Sequence, residues 1–124
     1  MSNIKFHYLY RDGSNYQKWA EVVFFDIDDL PVESITKELR DSFLQDGLFI
    51  ADQVRVPEAF LAAEDELTSD DHCFHEFSSV EPTSDPPNDR YGRSIREFVA
   101  EVAREAKGGW QAFDPKDRLP QRGY

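Results

Sequence analysis

The residue types best suited to chemistry in this chain crowd into one stretch. Glu64-Asp65-Glu66 is followed by Asp70-Asp71-His72-Cys73-Phe74-His75-Glu76, then by Glu81, Asp85 and Asp89. No Lys or Arg interrupts these acids before Arg90, and two of the three histidines and the single cysteine lie among them. Imidazole, thiolate and carboxylate together form a donor set for zinc and other divalent ions. The spacing works against such a site. If 72–77 is a strand, His72, Phe74 and Glu76 project from one face, and Cys73 and His75 from the other. The two imidazoles then point apart, and His7 is the sole remaining histidine to complete a ligand set. A divalent metal site on His72, His75 and His7, or a small metal-dependent hydrolase using these with Glu76, is therefore the alternative reading. The leading reading has no cofactor.

Cys73 shares a strand face with His75, the arrangement a thiolate nucleophile and its base would need. A lone cysteine more commonly serves as a small buried hydrophobe. His7 facing His75 across neighbouring strands would make an acid–base pair, but Lys5, His7, Leu9 and Arg11 read as the more exposed face of their strand. The remaining carboxylate pairs, such as Asp28-Asp29, match no calcium loop, and no Gly-rich phosphate loop or nucleophile elbow is present.

Charge narrows the partners. The 124 residues carry 25 acidic and 14 basic side chains, a net charge of −11. Phosphate backbones and anionic membranes repel such a surface. A basic protein surface, including the groove of a protein that itself binds nucleic acid, is the better electrostatic match. Glu64, Asp65, Glu66, Asp70, Asp71 and Glu76 are the expected contact residues. The leading expectation is a small acidic, non-enzymatic protein-binding module, a regulator or inhibitor. One cysteine, no apolar run of membrane-spanning length and no signal-like N-terminus point to the cytoplasm.

The elements that must position these residues follow from periodicity. Ile4, Phe6, Tyr8 and Tyr10 alternate with Lys5, His7, Leu9 and Arg11, a strand pattern. Asp12-Gly13-Ser14-Asn15 is turn chemistry, and Tyr16–Phe25 returns as a second strand. A helix is expected over 31–46, with Pro31 in its first turn, Ile35, Leu39 and Phe43 on its buried stripe, and Gly47 as its left-handed cap. Leu48–Val56 reads as a third strand ended by Pro57, 58–66 is ambiguous, and 72–81 has strand character. A proline-rich loop covers 82–92. Ser94-Ile95-Arg96-Glu97 is a capping box opening a second helix. Its apolar stripe is Ile95, Phe98, Val99, Val102, Ala103 and Ala106, its polar face holds Arg96, Glu97, Glu101, Arg104 and Glu105, and Gly108-Gly109 ends it.

These elements predict an α+β two-layer sandwich in the order β-β-α-β-β-α. A mostly antiparallel sheet of about four strands carries both helices on one face. Residues 1–110 form the single compact domain expected for this length, and 111–124 a tail ordered at most in part. The aromatic load of the N-terminal hairpin, with an exposed strand edge, also suits pairing of two copies into a homodimer.

Overall fold

A computed structural model describes residues 2–11, 16–59 and 72–113. The Asp12–Asn15 turn, the ambiguous run from residue 60 onward, the acids from Glu64 to Asp71 and the tail beyond 113 lie outside them.

The expected α+β fold is found, with two helices and a four-stranded antiparallel sheet among the described residues. Strand β1 (Asn3–Arg11) pairs antiparallel with β2 (Gln17–Phe24), helix α1 (Val32–Ser42) follows, then the short strand β3 (Leu48–Phe49), the long strand β4 (His75–Thr83) and helix α2 (Ile95–Gly108). The sheet runs β2-β1-β4-β3 with every pairing antiparallel. The even-numbered side chains of β1 do what their alternation predicts: Ile4, Phe6 and Tyr8 join Val22 and Phe24 of β2 in one core cluster. Ile35 and Leu39 from α1 and Ile95, Phe98 and Val102 from α2 enter the same cluster. The rings of Phe24 and Phe98 stack with centroids 4.5 Å apart. The capping box is complete: Ser94 Oγ accepts from Glu97 N–H at 3.1 Å, and Ser94 N–H donates to the Glu97 carboxylate at 2.8 Å.

Several boundaries differ from expectation, each for a packing reason. Helix α1 stops at Ser42 rather than 46, because Phe43 leaves the helix in an extended conformation and stacks on Phe49. Gly47 is left-handed as expected, but it closes a separate 3₁₀ turn over Gln45–Gly47. The third strand is only two residues long. Phe49, Ile50 and Ala51 are buried in succession, so no alternation holds them in a two-faced strand, and the chain turns through a 3₁₀ segment at Asp52–Val54. Strand β4 begins at His75 and runs through Pro82, where it has outrun β3 and tolerates a residue without an N–H. Leu9, expected on an exposed face, is buried. Glu101, expected on the solvated face of α2, is buried too, while Ala103 of the expected apolar stripe is exposed.

Candidate functional site

The three histidines are each engaged, in three different ways. His75 opens β4 and is 1% exposed. Its Nε2 accepts the Ala59 backbone N–H at 2.8 Å, so that nitrogen carries no proton. Burial, with His72 nearby as a smaller cause, pushes its pKa down to about 4. His72 is held by backbone at both ring nitrogens: Nε2–H donates to the Arg11 carbonyl at 2.7 Å and Nδ1 accepts from Phe74 N–H at 3.0 Å. A backbone N–H can only donate, so this pattern specifies the neutral Nε2–H tautomer. The Tyr10 ring packs against both imidazoles, with centroid distances of 5.1 Å to His72 and 5.6 Å to His75, and its hydroxyl accepts from His72 N–H. His7 points from β1 to Glu81 of β4, its Nε2 2.7 Å from the carboxylate. The imidazoles thus have separate partners, and among the described residues no three His, Cys, Asp or Glu side chains gather as a group able to hold a metal. Cys73 is buried, the hydrophobe's place.

The strand-face reading of the 72–77 run holds locally. Cys73, His75 and Phe77 are buried, while His72, Phe74 and Glu76 are half-buried and line a shallow hollow of about 290 Å³ with Arg11, Asp46 and Leu48. Glu76, expected to meet a partner, takes both ends of a guanidinium fork from Arg11, at 3.2 Å each. The other described acids of the run also pair with bases of the same fold. Glu81 meets His7, Asp85 meets Lys5 at 2.8 Å, and Asp89 meets Arg93 at 2.9 Å. Hydrogen bonding to Lys5 holds the Asp85 carboxyl below its ordinary range and raises Lys5. The acids expected to dock a partner and not described, Glu64, Asp65, Glu66, Asp70 and Asp71, are the rest of that run.

The most elaborate polar arrangement lies elsewhere. Arg93, 5% exposed, sits just before the α2 capping box. Its guanidinium donates to both Asp89 carboxylate oxygens at 2.9 Å, to the Val54 carbonyl at 2.7 Å and to the Arg55 carbonyl at 3.0 Å. It also lies 3.2 Å from Glu101, whose carboxylate takes a second fork from Arg55 at 2.6 and 2.8 Å. Burial opposes ionisation of Asp89, but the bonds from Arg93 outweigh it and hold its pKa below the usual carboxylate range. Bonding to Arg55 lowers Glu101 likewise. The network ties the end of the 3₁₀ turn, the loop before α2 and α2 itself together. Two of its members, Arg55 and Asp89, line a cleft of about 520 Å³ whose walls also include Glu21, Asp52, Glu58, Asn88 and Tyr91. The Arg55 guanidinium lies 4.4 Å over the Tyr91 ring.

The chain matches no family model, no curated protein and no solved structure.

Sequence reasoning overlooked Arg93 and Glu101. Two signals were present: Asp89 and Arg93 lie four apart like a helical ion pair, and Glu101 falls three residues after Phe98, at the border of the apolar stripe.

Proposed function

We propose that this protein is a small acidic, non-enzymatic binding module that docks a basic protein surface, acting as a regulator or inhibitor of its partner. The observation that carries this reading is the internal use of the cations. Lys5, Arg11, Lys37, Arg55, Arg93 and Arg96 each lie against a carboxylate of the same fold. In a chain of net charge −11, that leaves an excess of carboxylates to meet solvent or a cationic partner. Glu21, Asp52 and Glu58 are exposed acids around the 520 Å³ cleft. The acids at 64–71 add to the same excess of charge. The histidine geometry supports a binding role over hydrolysis, since His72 has both ring nitrogens bonded to backbone and His75 is buried as an acceptor. A partner whose basic surface otherwise binds nucleic acid fits this charge, and the lone buried cysteine fits a cytoplasmic setting.

The test is capture of partners from a cell extract by the full chain across a salt series, with mass-spectrometric identification. Basic proteins that are retained at low salt and released as salt rises support docking through charge. Charge reversal at Glu64, Asp65, Asp70 and Asp71 should weaken capture. Retention that is indifferent to salt and to these changes overturns the acidic-docking reading.

A further inference from the structure

We propose that the outer edge of β2 is a self-association site, pairing antiparallel with the same edge of a second copy with Trp19 on the two-fold axis. Strand β2 is an edge strand of the sheet. The fold covers the C-terminal part of that edge itself. Val23 N–H donates to Asn88 Oδ1 at 2.8 Å, and Asn88 N–H donates back to the Val23 carbonyl at 3.0 Å. The Phe25 carbonyl takes Ile95 N–H at 2.7 Å. Backbone groups of alternate residues point the same way in an antiparallel ladder, so those of Gln17, Trp19 and Glu21 face outward with Val23. Asn88 therefore sets one limit of a short edge, open among the described residues, whose middle residue is Trp19, 57% exposed. Tyr16, 69% exposed, stands at its start.

A second copy fits this edge because the edge is self-complementary about Trp19. Pairing Trp19 with its own copy puts Gln17 opposite Glu21 and Lys18 beside Ala20. An amide then faces a carboxylate, and no like charges face each other. Shifting the axis to Lys18 would oppose two ammonium groups. Shifting it to Ala20 would need the Val23 groups that Asn88 already occupies. Two tryptophans meeting across the pair would cover the large apolar surface that the monomer leaves in water. The same edge repeated on both partners is the isologous arrangement of a two-fold dimer.

The inference is independent of docking to a basic partner, and salt separates the two. Two chains of net charge −11 repel, so self-association should strengthen as salt screens them, whereas docking to a cationic partner should weaken. Sedimentation equilibrium of the full chain over a concentration series, at low and high salt, gives the association constant. Trp19 emission should shift to the blue as dimer forms. Glu21→Pro removes an outward N–H without taking a bond from the β1 ladder, and Trp19→Lys places a charge on the axis. Each should weaken association by about tenfold or more, the factor for loss of roughly 1.4 kcal/mol of edge pairing. The unfolding curve of a folded variant should stay close to that of the parent. If Glu21→Pro fails to fold, Trp19→Lys decides. A parent chain that stays monomeric at every concentration, or variants that associate like the parent, would overturn the proposal.

Discussion

His75 accepts a hydrogen bond from Ala59 N–H inside the core, so its imidazole must be neutral for the native contact to persist. Its folded pKa of about 4 lies below the ordinary unfolded value near 6.5. Between those two values the unfolded chain binds the extra proton, so stability falls as pH drops from about 6.5 to about 4. Below about 4 this group adds no further loss. A gap of that size is worth about 3 kcal/mol. Urea midpoints measured across this window should decline steadily for the parent, and His75→Gln should flatten the decline. A decline of equal depth in both proteins would assign the pH response to other groups. Gly47 makes a second residue-scale case. Its φ is +76°, and an added Cβ would meet the Phe77 Cβ and carbonyl oxygen at 3.4 Å each. Gly47→Ala should lower stability by about 1 kcal/mol or more in denaturant unfolding.

Among the elements, α2 shows how differently two kinds of contact announce themselves. Its start is written in adjacent residues, Ser94 to Glu97, and its strength is modest: Ser94→Ala should cost about 1 kcal/mol in urea unfolding. The ion network that ties α2 to the 3₁₀ turn has no such local signature. Arg93 reaches the Val54 carbonyl across 39 residues of sequence, and Arg55 reaches Glu101 across 46. Arg93→Ala would strand the buried carboxylate of Asp89, while Glu101 keeps its fork from Arg55, and breaking one side of a buried pair typically costs about 3–5 kcal/mol. Adding Asp89→Asn to that variant should recover part of the loss, because the stranded charge is then removed. Equal stability of the single and double variants would show that Arg93 acts through packing on Phe24 and Phe98 alone.

For the whole molecule, the relevant quantity is the summed charge. A fold carrying −11 repels itself, and screening should relieve that strain. The thermal midpoint of the protein should therefore rise between low and moderate salt, read by circular dichroism. A midpoint that falls instead would mean the internal ion pairs outweigh the repulsion. Among the described residues no helix is long and apolar enough to cross a membrane.

Periodicity alone was enough for some of the elements. The two-residue alternation of β1, the alternating burial from Cys73 to Phe77 and the capped amphipathic helix α2 are all properties of neighbouring residues and backbone geometry. The separation of His72 from His75 onto opposite faces of the 72–77 run followed from the same rule. Only the tertiary structure decided which charges are buried and with whom. His7 meets Glu81 across 74 residues and Asn88 seals Val23 across 65, and no local pattern encodes a pairing between positions that folding alone brings together. The third strand was misjudged for the same reason, because its apolar run is buried from several sides at once and alternation cannot report that.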